Sequence, residues 1–204
     1  MITQIDTYQE TEAFTAEVVQ TPRYRSAATL ADDPAGLTCS VTVGMRWAAT
    51  EGRAGRLSGY PSFELAAESV KDGRHDALLV AGAYPEIRSF FFDPRLRAVE
   101  AFVSALPDMV LAAPEEHAAL RRFDTVYYHP ATRVLFENSV EGRTDRAIQA
   151  TSNSTACRDA LENPGRAAAI TNQLCADHYG LRTLEVLSAG TPMSFVVFER
   201  KDRL

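Results

Sequence analysis

An α/β fold whose sheet has parallel character is predicted, on three observations. Residues 151–200 read in order as helix, strand, helix, strand, strand, and that alternation favours strands with helices packed on them. Short apolar runs bounded by turn residues, such as Ala77-Leu78-Leu79-Val80-Ala81 and Ala167-Ala168-Ala169-Ile170, suit buried strands. Small polar residues of the kind that cap helices follow such runs, and this strand, polar turn, helix plan appears in both halves of the chain.

Residues 1–22 are polar with scattered apolar positions (Ile2, Ile5, Phe14, Val18, Val19). They are expected to form an N-terminal arm or dimer contact, broken at Pro22. Arg25–Leu30 is a strand and residues 31–36 a loop. Thr38-Cys39-Ser40 then leads a helix to about Glu51. Arg56–Tyr60 is a short strand. Pro61-Ser62-Phe63 opens a helix with Leu65, Ala66, Ser69 and Val70 on one face, and Asp72-Gly73 ends it. Asp76–Ala81 is a buried strand, and Arg88–Phe92 a short aromatic-rich segment. Leu96–Ala105 and Met109–Ala113 read as strands around Pro107, residues 114–122 as a polar surface helix. Phe123–Tyr128 is a strand, and His129-Pro130-Ala131-Thr132 starts the next helix. Ser152 to Thr155 cap a helix that runs to about Asn163 and stops at Pro164-Gly165. After the Ala167–Ile170 strand, Thr171-Asn172 caps a helix that ends at Gly180. Leu181–Leu187 and Ser194–Phe198 are the closing strands.

The chain has 204 residues, 46% hydrophobic and 24% charged, enough for one large domain or two small lobes with a packed core. Its net charge is −6 and it has no basic tract, which argues against a nucleic-acid partner. Only Lys71 and Lys201 are lysines among 21 basic residues. Three widely spaced cysteines, Cys39, Cys157 and Cys175, fit neither a disulfide framework nor a metal-ligand pattern. No metal is expected, and a reducing cytoplasm is. The first twenty residues lack the basic and apolar regions of a signal peptide. No apolar run approaches the roughly 20 residues of a membrane span, so no membrane partner is expected.

Motifs in the second half resemble those of prephenate dehydratases. That family carries an N-S-T-A run, an A-A-I-A-like strand, a helix ending in Y-G-L, and a T-R-F strand. The counterparts here are Asn153-Ser154-Thr155-Ala156, Ala167–Ile170, Tyr179-Gly180-Leu181 and Met193-Ser194-Phe195. His129-Pro130 matches the family's S-H-P-Q run, and Thr38 and Ser40 stand where hydroxyls of a G-P-x-G-T-x-S loop are placed. Pro192-Met193-Ser194-Phe195 and Ala83-Tyr84 are closer to the prephenate decarboxylase branch of bacilysin biosynthesis. The resemblance is good over residues 125–200 and weaker over 25–110.

The resemblance implies a two-lobed, type II periplasmic-binding-protein-like fold, with the main pocket between the lobes. Lobe 1 would take residues 23–104 and 190–204, lobe 2 residues 105–189. The chain reaches Leu204 just past the last strand of the resemblance, so no ACT regulatory domain is expected. It further implies a cofactor-free lyase, a homodimer, acting on an anionic small molecule such as prephenate. Helix N-termini at the carboxyl ends of strands suit its two carboxylates. Thr38 and Ser194 are the candidate catalytic residues. Ser40, Tyr84, His129, Thr132, Asn153, Ser154, Thr155, Met193 and Phe195 are the candidate substrate contacts.

Where dehydratases place Thr-Arg, this chain has Met193-Ser194, so decarboxylation with the ring hydroxyl retained is favoured over aromatising dehydration. Any guanidinium would have to come from elsewhere, for which Arg133 and Arg88 are candidates. Two alternatives remain open: a dehydratase-like enzyme of tropone or tropolone biosynthesis acting on a seven-membered ring made from phenylacetyl-CoA, and a non-catalytic binding protein. No G-x-S-x-G, H-E-x-x-H, P-loop or G-x-G-x-x-G motif occurs. Cys39 and Cys157 stand at helix starts, where thiol pKa values are expected to fall. His75, His117 and His178 stand in surface contexts.

Overall fold

The computed structural model describes residues 23–31, 35–50 and 53–202; the expected arm at 1–22 lies outside them. Among the described residues, ten strands and six α-helices follow in chain order. They are β1 (Ala27–Leu30), α1 (Cys39–Ala49), β2 (Leu57–Tyr60), α2 (Phe63–Lys71), β3 (Ala77–Ala81), α3 (Ile87–Phe91), β4 (Leu96–Ala105) and β5 (Met109–Ala113). Then come β6 (Phe123–Tyr128), α4 (Arg133–Ser139), β7 (Thr144–Gln149), α5 (Asn153–Glu162), β8 (Ala167–Asn172), α6 (Gln173–His178), β9 (Arg182–Ser188) and β10 (Pro192–Arg200).

The strands form two sheets, ordered β2-β1-β3-β10-β4 and β7-β6-β8-β5-β9. In each, three neighbouring strands are parallel: β2, β1 and β3 in the first, β7, β6 and β8 in the second. The other two strands of each sheet add antiparallel pairings. The chain crosses between sheets twice, after β4 and after β9. The architecture is therefore the expected two-lobed α/β one.

Strand alternation sends successive side chains to opposite faces, so each sheet carries a core on both sides. In lobe 1, Ala27, Leu79, Phe195 and Val197 pack on Val43 and Trp47 of α1. Ala28, Leu78, Val80 and Phe198 pack on Phe63, Ala66, Ala67 and Val70 of α2 and Phe90 of α3. In lobe 2, Val110, Ala112, Ala167 and Ala169 meet Ala156, Cys157 and Ala160 of α5 and Cys175 and Ala176 of α6. Leu111, Val126 and Ile170 meet Phe136 of α4 and Val140 on the other face. Gly180, at φ +67°, ends α6 in the left-handed region that favours glycine.

The structure departs from the expected elements in three places. β7 was not foreseen, because its sequence Thr-Asp-Arg-Ala-Ile-Gln has no apolar alternation. It is an edge strand paired only with β6, mostly exposed, and does not need one. The polar helix expected over 114–122 is reduced to a 3-10 turn, Glu115–His117. The aromatic segment is the short helix α3, which puts Phe90 into the core. His75 is also not a surface residue: it is buried beside Tyr60, with Nδ1 3.4 Å from the phenol oxygen.

Candidate functional site

The helix starts come from the ends of the parallel strands. After β1 the chain enters α1 at Thr38. Its Oγ1 donates to the Leu30 carbonyl at 2.8 Å and accepts from Val41 N at 3.2 Å. After β7, Ser152 caps α5 by accepting from Thr155 N at 3.0 Å. After β8 the chain turns directly into α6 at Asn172, whose Oδ1 accepts from Cys175 N at 2.8 Å. Each cap satisfies an N–H that the helix cannot pair internally.

The lobes meet at these ends. Asn172 is fully buried, and the amide nitrogen left over from capping reaches across to lobe 1. It donates to the Leu37 carbonyl at 3.0 Å and lies 3.8 Å from Cys39 Sγ. Cys175 Sγ is 3.6 Å from the same carbonyl and 3.6 Å from Ser154 Oγ. The Leu37 side chain packs into the α5–α6 core of lobe 2. Beneath this contact, Thr171 Oγ1 donates to the Asn153 carbonyl at 3.2 Å. Asn153 Oδ1 is buried with no hydrogen-bond partner among the described residues. A buried acceptor left unpaired is unfavourable by about 1–3 kcal/mol, which a donor from outside the protein would offset.

The thiols here are not activated. Burial pushes Cys39 up to about 11, against the opposing hydrogen bond from Asn172. Contact with Cys175, then burial, raises Cys157 as well. The lowering expected at helix starts is thus overturned: burial dominates at Cys39, and the neighbouring Cys175 thiol, then burial, at Cys157, which lies a full turn inside α5. Among the described residues no group of three His, Cys, Asp or Glu is arranged to hold a metal ion.

Of the candidate residues, Thr38, Asn153 and Ser154 stand at or beside this junction, and Ser40 is buried in the first turn of α1. Thr155 Oγ1 accepts from Ser152 Oγ at 3.0 Å and from the Arg158 guanidinium at 3.1 Å. His129 and Thr132 follow β6 at the same edge of sheet 2. His129 Nδ1 accepts from Ala131 N at 3.2 Å, and Thr132 Oγ1 donates to the His129 carbonyl at 2.8 Å.

Two candidates are corrected. Tyr84 lies on the α2–α3 side of lobe 1, its hydroxyl bonded to Glu64 and its ring against Phe63 and Phe90. Burial, then the Glu64 carboxylate, raises its pKa, so it is a protonated brace between helices. Phe195 is wholly buried in the α1 face of lobe 1 and has no surface to offer a substrate. Alternation also separates the motif: Met193 packs on the same face as Phe195, while Ser194 is exposed on the other. Arg88 lies on α3, 3.9 Å from Glu86.

Leu37 and Cys175 were not foreseen at this junction, and Asn172 was expected there only as one of the polar helix starts around the cleft. The Thr171-Asn172 cap was legible, but capping uses only the amide oxygen, and nothing local shows where the nitrogen points.

Ser194 does have one close neighbour. Gly82 N donates to the Ser194 carbonyl at 2.7 Å, and a Cβ on Gly82 would lie 2.1 Å from Ser194 Oγ and 3.0 Å from that carbonyl. Gly82→Ala is expected to destabilise by about 1–3 kcal/mol in urea unfolding, as overpacking does. Adding Ser194→Gly should recover part of the loss. Equal stability of Gly82→Ala and the parent would show that the strands are free to part here.

The lobes thus touch at Leu37, Asn172 and Cys175. One groove lies at the far end of lobe 2, on the side away from lobe 1. No helix among them is long and apolar enough to cross a membrane.

No protein-family model matches the chain, and no curated protein does. Solved structures do. A prephenate dehydratase from Arthrobacter aurescens is 18% identical, at TM-score 0.62, over 88% of this chain and 61% of that one. GqqA, described as a novel type of quorum quenching acylase, is 16% identical, at TM-score 0.63, over 88% of this chain and 66% of that one. A periplasmic substrate-binding protein of an ABC transporter from Coxiella burnetii is 13% identical, at TM-score 0.52, over 87% and 84%. The chain thus spans under two thirds of the length of the first two. At such identities the likeness is one of fold, and the fold is the two-lobed type II periplasmic-binding-protein architecture that prephenate dehydratase shares.

Proposed function

We propose that the chain is a cofactor-free lyase acting on prephenate or a related anionic cyclic intermediate of secondary metabolism. On this reading it works in the cytoplasm as a homodimer. The observation that carries the proposal is the buried, unpartnered Asn153 Oδ1, in the N-S-T run that opens α5, beside the junction that Leu37 closes. Parting of the Asn172–Leu37 contact would admit substrate between the lobes, and closure would strip its water. The N-termini of α1 and α5, with Thr38, Ser40, Ser154 and Thr155, then receive carboxylate oxygens, while Asn153 Oδ1 accepts from a hydroxyl. His129 and Thr132 extend the same edge.

Loss of carbon dioxide with the hydroxyl retained is favoured over dehydration. The carbon–carbon bonding pair moves into the ring diene and a proton is taken up on the ring. Assisted departure of hydroxide needs a donor where Met193 stands, and a thioether has none. Ser194 carries no charge. Loss of one transition-state donor lowers rates by about 10²–10³ in other enzymes. Incubation with prephenate, followed by mass, should show a product lighter by one carbon dioxide and no growth of phenylpyruvate absorbance. Rapid phenylpyruvate formation would overturn the preference. Saturable binding without turnover would favour a ligand-binding role, the reading that likeness to a substrate-binding protein supports. Amide hydrolysis is the control reaction for the acylase likeness.

A further inference from the structure

A groove of about 740 Å³ opens on lobe 2, lined by Glu115, Leu120, Arg121, Arg143, Arg182 and Leu184 among others. Topology puts it at the end of sheet 2 remote from lobe 1. Arg121 precedes the start of β6, Arg143 precedes β7, Glu115 follows the end of β5, and Arg182 begins β9. β5 runs antiparallel to β8, with Ala112 opposite Ala169 and Met109 opposite Asn172. The end of β5 therefore lies where the parallel strands begin, opposite the edge that holds Asn172 and the interlobe junction.

The charges of this groove do not balance. The residues that line it include three arginines, Arg121, Arg143 and Arg182, and two glutamates, Glu115 and Glu185. Arg143 is held by Glu185 at 2.6 Å and by the Arg121 carbonyl at 3.4 Å. Arg182 is 3.9 Å from Glu115. The Arg121 side chain makes no ion pair among the described residues, so one positive charge is left over in a chain of net charge −6. Leu120 and Leu184 form an apolar wall, continuous with the core around Leu111 and Phe123.

We propose that this groove is a second ligand site, which takes a small organic monoanion: a monocarboxylate with an apolar body. One carboxylate cancels the one surplus charge, and Arg121 offers it a planar, two-pronged donor. The apolar body lies on Leu120 and Leu184. A dianion would leave a net negative charge beside Glu115 and Glu185. The volume falls within the range of about 300–1,000 Å³ common to small-molecule sites. The inference does not depend on the interlobe chemistry.

Calorimetric titration of the full 204-residue chain with hexanoate and benzoate tests it, with acetate and benzylamine as controls. One saturable site per chain is expected. Hexanoate should bind at least about tenfold tighter than acetate because its chain is buried, and benzylamine should not bind. Arg121→Ala, an exposed position, should weaken hexanoate binding about tenfold or more, whereas Asn153→Ala at the interlobe junction should leave it unchanged. No saturable binding up to about 10 mM would overturn the proposal, in the range where affinity is weaker than millimolar. So would equal binding of acetate and hexanoate, or insensitivity to Arg121→Ala. Loss of binding on Asn153→Ala would place the ligand between the lobes and overturn it too.

Discussion

Phe195→Ala is expected to lower stability by about 3–5 kcal/mol, the usual consequence of emptying a buried aromatic site. Phe195 has no exposed surface and sits on β10, an interior strand held between β3 and β4. Its ring stacks on Phe102 at 5.8 Å, Phe102 stacks on Trp47 at 6.4 Å, and Trp47 meets Tyr24 at 6.0 Å. The row ties α1 to both antiparallel strands of lobe 1. Truncating Phe195 leaves a hole in a layer whose backbone is fixed by nine register pairs with β4, so the site collapses little. Trp47 is the only tryptophan, and its fluorescence reports this layer during urea unfolding. Ser194→Ala, one residue away but exposed, should change stability by no more than about 0.5 kcal/mol. If Phe195→Ala unfolded at the parent's urea midpoint, Phe195 would belong to a site surface, as the motif had implied, and not to the core.

The contrast between these two neighbours shows what could be read in advance. The buried strands were legible because they are short apolar runs between turn residues; Met109–Ala113 and Phe123–Tyr128 fall where the sequence put them. The helix starts were legible too, because capping is local: Thr38, Ser62, Ser152 and Asn172 each accept from an N–H three residues ahead. β7 was not, since an edge strand needs no apolar face. Neither was the facing of β10, whose phase is set by β3 and β4 and not by the Met-Ser-Phe run itself. The interlobe contact joins Asn172 to Leu37, 135 positions apart, and no local pattern encodes it. The same holds for Tyr84, whose hydroxyl is taken by Glu64 twenty positions earlier. The direction of the Cys39 thiol pKa was misread because the helix start is a local fact and burial is not.

Lys71→Met is expected to destabilise the protein by about 3 kcal/mol at neutral pH, the lower end of what breaking a buried ion pair does. Lys71 is the last residue of α2, where a cation suits the helix dipole, and its side chain is only 8% exposed. Its Nζ lies 2.5 Å from Asp93 Oδ2 and 2.9 Å from Glu68 Oε1. Asp93 is itself 15% exposed and accepts from Arg95 N at 2.8 Å, so the pair ties the end of α2 to the approach to β4. Glu68 is half exposed and adds little. Burial by itself would raise the Asp93 pKa and lower that of Lys71. The hydrogen bonds outweigh it: Lys71 and Arg95 N hold Asp93 low, and Asp93 and Glu68 hold Lys71 high. The signs follow from linkage. Asp93 contributes stability that is present above the ordinary aspartate range and lost as pH falls through its lowered folded value. Lys71 contributes stability that is present below the ordinary lysine range and lost as pH rises through its raised one. The gap between parent and variant in urea unfolding should therefore be widest near neutrality and narrow below about pH 4. Replacing both partners, as Lys71→Met with Asp93→Leu, should recover much of the loss, because no unpaired charge stays behind. A gap below about 1 kcal/mol at neutral pH would mean that the pair behaves as a solvated surface bridge.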